Sequence, residues 1–160
     1  MVIHNIYIVT YKNSAVQADV RKPEDVENAV AKTVEKFGKI DYLINGAAGN
    51  FLAPFQKLSY NAFRTVIEID LMGTWNLTKA ASEYIKASKG SIINVSMTLH
   101  YTGSPYQQHA GAAKAGIDVS LFNIKNILSV IRIYGIKRVK TDGSKNKNES
   151  DILLLLHIRL

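Results

Sequence analysis

In QHAGAAKAGIDV, residues 108–119, one lysine and one aspartate stand four positions apart in a run of alanines and glycines. At helical period Lys114 and Asp118 project from the same face, one turn apart. Two readings fit that spacing. On a solvated face the two form an ion pair in the weaker order, lysine before aspartate, contributing ~0.2–0.5 kcal/mol. Alternatively, Ala110, Gly111, Ala112, Ala113, Ala115 and Gly116 clear room for a ligand or a partner helix, and the two charges face a cleft.

The elements that must position this helix are legible upstream of it. PEDVENAVAKTVEKFG, residues 23–38, places proline at the first helical position, Glu24 and Asp25 in the first turn, Lys36 in the last and glycine just past the end. Val26, Val30, Val34 and Phe37 make one apolar stripe, so this is an amphipathic helix with one face on a core. KIDYLINGAAGN follows, a short buried strand over Ile40–Ile44 that runs into a tight loop broken by Gly46 and Gly49. Ser59 then caps a long run of helix formers closed by Gly90, and SIINVSM, residues 91–97, is a β-branched apolar strand. Strand and helix alternating in this way predict an α/β fold, a parallel sheet covered by helices on both faces, with ligands gathered at the carboxyl ends of the strands. Residues 45–50, residues 96–98 and the start of the Lys114 helix then converge at one edge.

Composition bounds the rest. A chain of 160 residues with 47% hydrophobic and 21% charged content suits one globular domain. No run reaches the ~18 apolar residues a membrane span needs, and MVIHNIYIVTYK lacks the pattern of a secretory signal, so a soluble, intracellular protein is expected. With no cysteine, and with His4, His100, His109 and His157 never at zinc-site spacing, no metal is expected. Residues 122–160 carry 8 basic and 3 acidic residues, +5 of the net +7. Within them KRVKTDGSKNKNES, residues 137–150, interleaves no aromatic with its charges, which fits a solvated or disordered segment rather than a nucleic-acid site. The final DILLLLHIRL has five apolar residues in a row and no evident structural role.

Five segments in order, ADV at 18–20, GKIDYLINGAAGNF at 38–51, IDLMGTWNLTK at 69–79, GSIINVS at 90–96 and HAGAAKAGID at 109–118, resemble the short-chain dehydrogenase/reductases. NGAAGNF and HAGAAKAGID are similar to the peroxisomal 2,4-dienoyl-CoA reductases within them. The resemblance implies an NADPH-dependent reduction of 2,4-dienoyl-CoA to 3-enoyl-CoA in the oxidation of unsaturated fatty acids, with a fatty acyl-CoA as substrate and a homo-oligomer in the full-length family. It implies that Asp19 and Val20 sit beside the adenine ring, that Asn45, Gly46, Ala47, Ala48 and Gly49 line the cofactor cleft together with Ser96, that Lys114 holds the nicotinamide ribose, and that Asn50 and Phe51 meet the acyl substrate. Most of the superfamily places a catalytic tyrosine four residues before the lysine, but here that position is Ala110, and Tyr101 and Tyr106 are off register. Aspartates at 70 and 118 with that tyrosine lost are what the peroxisomal reductases resemble. Asp118 would hold a protonating water beside Lys114, and Asp70 would help position it; a helix cap or a structural carboxylate is an equal reading of Asp70.

The resemblance spans roughly residues 16–121. No GxxxGxG or GxGxxG turn precedes Asp19, and about 15 residues stand before the family-like region, enough for one strand but not for two β-α units. The expectation is therefore a partial Rossmann-like, doubly wound parallel sheet over 1–121 that lacks the first β-α units, followed by a divergent basic tail, 122–160, outside the family fold. The alternative function is a catalytically dead fragment acting by self-association or by association with a full-length relative through exposed sheet edges. The resemblance also implies a peroxisomal location, and otherwise a cytoplasmic one, although the terminal IRL departs from an SKL-type signal at its first position.

Overall fold

The structure, a computed structural model, describes residues 5–9, 14–124, 129–134 and 153–157. The lysine-rich segment 137–150 lies outside them. Strands β1 (Asn5–Val9), β2 (Ser14–Gln17), β3 (Tyr42–Asn45), β4 (Ser91–Ser96), β5 (Ser129–Tyr134) and β6 (Leu153–His157) form one sheet in the order β2-β1-β6-β3-β4-β5. β6, β3, β4 and β5 run parallel to one another, while β1 is antiparallel to both β2 and β6. The expected parallel sheet is therefore interrupted by one reversed strand, because the short connection between β1 and β2 returns the chain as a hairpin rather than a crossover.

Helix α1 (Pro23–Phe37) follows its sequence signals. Pro23 opens it, and Gly38 ends it at φ 81°, a left-handed conformation that a glycine adopts without strain, its N–H donating to Val34 O at 2.7 Å. Val26, Ala29, Val30 and Thr33 are buried on its inner face. Ser59 caps α2 (Tyr60–Ile67) by accepting from Ala62 N at 3.1 Å. The expected long helix is not uniform: α2 passes through a π turn, Glu68–Met72, before continuing as α3 (Gly73–Ala87). A short helix α4 (Leu99–Thr102) precedes α5 (Gln108–Ile124), which carries Lys114 and Asp118.

α1 packs on α3, α3 on β3 and β4, and α5 on β4 and the π turn. Val20, Val26, Ile40, Leu43, Leu77, Ile85 and Ile92 fill the core between this layer and the sheet. Along β4 burial alternates, with Ile92, Asn94 and Ser96 buried and Ile93 and Val95 half-buried, the signature of one face covered by helices. Two segments of the tail join the sheet: β5 lies beside β4, and β6 sits between β1 and β3. Among the described residues no helix is long and apolar enough to cross a membrane.

Candidate active site

A π turn adds a residue to a helical turn and redirects the side chains that follow. In this turn Asp70 points inward, 1% exposed. Its Oδ1 accepts the Gly49 N–H at 2.5 Å, and its Oδ2 lies 3.4 Å from Lys114 Nζ. Lys114, 3% exposed, also donates to the Val95 carbonyl at 3.1 Å. Asp118, one turn further along α5, is buried as well. The solvated ion-pair reading of Lys114 and Asp118 is therefore excluded. Lys114 pairs with Asp70, a carboxylate from another element, and one buried cluster ties the strand-end loop after β3, the π turn, the end of β4 and α5 together.

A carboxylate in so dry a place is costly unless it is paired. Burial pushes the Asp70 carboxyl above its ordinary value, and the Lys114 ammonium and the Gly49 N–H offset only part of that rise. The site thus holds a carboxyl biased toward its protonated form next to a cation, a pairing suited to handling protons.

The remaining expected residues divide into groups. Asn45 is turned inward: its Nδ2 donates to Thr78 Oγ1 at 3.0 Å and to Asn94 Oδ1 at 2.7 Å, bracing the end of β3 against α3 and β4. Ala47 is buried, Gly46, Ala48 and Gly49 are half-buried, and Asn50 is exposed at the rim. Asp19 is gripped by the Arg21 guanidinium, with Nε at 2.9 Å from Oδ1 and Nη2 at 2.5 Å from Oδ2. Val20 is fully buried, and its carbonyl accepts from Asn76 Nδ2 at 2.9 Å. Asp19 and Arg21 line, with Lys22, Pro23, Glu68, Met72 and Asn76, an open cleft of about 390 Å³. Ser96 is buried at the end of β4, next to the Val95 carbonyl that Lys114 holds. Ala110 is buried and has no hydroxyl to offer, while Tyr101 and Tyr106 are both exposed.

Sequence reasoning passed over three contributors. Thr78 and Asn94 complete the Asn45 network, and nothing local distinguishes them from other strand and helix residues. His109, set aside because it lacks zinc spacing, is fully buried and stacked on Phe51, with ring centroids 4.2 Å apart and an interplanar angle of 21°. Burial pushes its imidazole below the ordinary histidine value, and the Phe51 backbone opposes this only in part.

Two buried polar atoms without a hydrogen-bond partner among the described residues, Asn45 Oδ1 and Ser96 Oγ, lie at the carboxyl ends of adjacent parallel strands. Orphaned polar atoms at that edge, a buried lysine and the cleft beside Asp19 fit the two ends of a dinucleotide.

Residues 7–122 match the family described as enoyl-(acyl carrier protein) reductase. Over 106 residues the chain is 60% identical to a peroxisomal 2,4-dienoyl-CoA reductase, (3E)-enoyl-CoA-producing, of Saccharomyces cerevisiae, covering 66% of this chain and 36% of that one. Among solved structures, a short chain dehydrogenase from Bacillus anthracis is 41% identical with a TM-score of 0.65, covering 68% of this chain and 46% of that one. An alcohol dehydrogenase from the archaeon Thermococcus sibiricus, complexed with 5-hydroxy-NADP, is 26% identical with a TM-score of 0.66 over 72% of this chain and 50% of that one. The chain spans 34–41% of the length of curated relatives of this kind.

Proposed function

We propose, for a chain that belongs to the enoyl-(acyl carrier protein) reductase family of short-chain dehydrogenase/reductases, that its site is built for NADPH-dependent reduction of 2,4-dienoyl-CoA to 3-enoyl-CoA. Members of the family bind NAD(P). A nicotinamide cofactor, when bound, supplies the hydride. What falls to this chain is the other half of the reaction: stabilising the negative charge that develops on the thioester oxygen and bringing a proton to C2, the carbon alpha to the thioester carbonyl, which leaves the double bond between C3 and C4.

One observation carries the reading. A lysine and an aspartate from different elements are buried together where strand ends converge, and the position expected for a catalytic tyrosine holds Ala110. Lys114 has three N–H donors; among the described residues Val95 O and Asp70 engage two, and the third is offered to a ribose hydroxyl. Asp118 directs the protonating water, and Asp70 holds Lys114 and the Gly49 turn in place. Asp19 and Val20 take the adenine side, residues 45–49 and Ser96 line the cleft, and Asn50 and Phe51 meet the acyl group. A homo-oligomer and a peroxisomal location belong to the same reading, the latter supported by relatives named peroxisomal. Residues 1–121 form the partial reductase-like unit, and 122–160 are a divergent tail of which the segments 129–134 and 153–157 pair with its sheet.

The test is a fluorescence titration of the purified chain with NADPH, followed by NADPH oxidation with 2,4-hexadienoyl-CoA. Saturable binding that Lys114→Ala weakens, with oxidation dependent on the dienoyl thioester, is the expected result. A second reading is a catalytically dead fragment that associates with itself or with a full-length relative through exposed sheet edges. No saturable NADPH binding, with self-association in solution, would select it.

A further inference from the structure

The geometry points to His109 as a positioning residue that holds Phe51 as a flat platform for a conjugated acyl group, an assignment that rests on the reductase reading for its ligand but not for its contact. Phe51 is 40% exposed on a loop, where a phenyl ring would ordinarily sample several rotamers, yet its ring lies face to face on an imidazole that is fully buried. The Phe51 backbone also acts on that imidazole, against the effect of burial, so Phe51 meets His109 through its main chain as well as through its near-parallel ring. A second tie supports the same junction, since Ala53 N donates to Tyr106 O at 3.0 Å, two residues ahead of α5. The loop that leaves the NGAAG turn is thus fastened at two points to the entrance of the helix that carries Lys114 and Asp118.

One face of the Phe51 ring is covered by His109, and the 40% of the residue that stays exposed is what a ligand would meet. An aromatic face favours planar, polarisable groups over floppy ones, through offset stacking that a saturated chain does not offer. A 2,4-dienoyl thioester is planar and conjugated from its carbonyl through both double bonds; a saturated acyl thioester is not. His109 therefore acts on discrimination between the two by fixing the ring they meet. It does not touch the reacting atoms.

The test has two arms, both on the full 160-residue chain. In the first, chymotryptic cleavage within residues 51–57 is timed for the unaltered chain, His109→Ala, His109→Phe and Phe51→Ala, with circular dichroism confirming that each is folded. His109→Ala should open this segment and speed the first cuts ~3–10-fold, the factor an aromatic pair's free energy converts to, and His109→Phe should restore the original rate. In the second arm, calorimetry compares 2,4-hexadienoyl-CoA with hexanoyl-CoA. The preference for the dienoyl thioester should fall ~3–10-fold in His109→Ala and in Phe51→Ala, fall no further in the double variant, and return in His109→Phe. Should His109→Ala not fold, Phe51→Ala and His109→Phe carry both arms from the other side of the stack. Unchanged cleavage with unchanged preference overturns the assignment, as does failure of His109→Phe to restore either. If cleavage behaves as expected while the unaltered chain binds neither thioester, the positioning stands, and the reductase reading and the ligand half of this proposal both fail.

Discussion

At the scale of the residue, the site is organised by a carboxylate that burial has made reluctant to ionise. The folded-state value of Asp70 is raised, so between its ordinary value of 3.8 and that raised value the folded chain binds more protons than the unfolded one. Its contribution to stability therefore falls as pH rises through this window and is fully lost above the folded value. Chemical unfolding measured across that window should show this slope in the unaltered chain and lose it in Asp70→Asn. Breaking the pair has a separate signature: Asp70→Ala leaves Lys114 buried without its carboxylate and should cost ~3–5 kcal/mol at pH 7, most of it recovered in Asp70→Ala/Lys114→Met, where an apolar side chain replaces the stranded cation. Urea midpoints of the three chains check this. Lys114 and Asp118 could be picked out in the sequence because charges are conspicuous among glycines and alanines. Their pairing could not, because the partner of Lys114 lies 44 positions upstream on another element, and periodicity reports only neighbours three or four apart. His109 escaped for a similar reason: its partner, Phe51, is brought to it by the fold alone.

At the scale of the element, the π turn decides which way Asp70 faces. The run from Ser59 to Gly90 is helical in propensity throughout, and nothing in its composition marks an inserted residue. The insertion is fixed by packing, where Gly73 lets the turn close on Val20 and Gly116 lets α5 close on Leu71. A Cβ at Gly73 would lie 2.7 Å from Val20 Cγ2 and 2.9 Å from Val20 Cβ. Although alanine is the better helix former, Gly73→Ala is expected to cost ~1–3 kcal/mol through overpacking. It should also weaken nucleotide binding, because Val20 and the π turn are pushed apart. Thermal melts and NADPH titration of that variant check both. The caps, by contrast, were read directly from Pro23, Gly38 and Ser59, since capping is local chemistry.

At the scale of the whole molecule, the sheet draws on both ends of the chain. LLLLH at 153–157 reads in isolation as an apolar run with no function; in the structure it is a strand between β1 and β3. Its partners lie more than a hundred residues away, so local pattern could not place it. If this pairing holds, the amides of Leu154 and Leu155 should exchange as slowly as those of β3, and deletion of residues 151–160 should expose the β3 edge and promote association between copies. Hydrogen exchange and light scattering read these outcomes. Nucleotide affinity is set at the same scale. Without a glycine-rich turn before Asp19 to meet the pyrophosphate, binding of NADPH by this chain should be far weaker than by a complete reductase, and a submicromolar dissociation constant would refute that expectation.

The measurement that bears most directly on the reductase reading is turnover of 2,4-hexadienoyl-CoA by a chain extended at its N-terminus with the glycine-rich strand–helix unit of a full-length relative, compared across Asp118→Asn, Tyr101→Phe and Tyr106→Phe. The expected result is that Asp118→Asn leaves NADPH affinity within about twofold and lowers kcat by ~10²–10⁴, the usual share of a positioned acid–base group, while both tyrosine variants stay near the unaltered rate. Full dienoyl-CoA reduction by Asp118→Asn, with activity lost in either tyrosine variant, would contradict the aspartate-based chemistry and return the site to an ordinary tyrosine-dependent reductase.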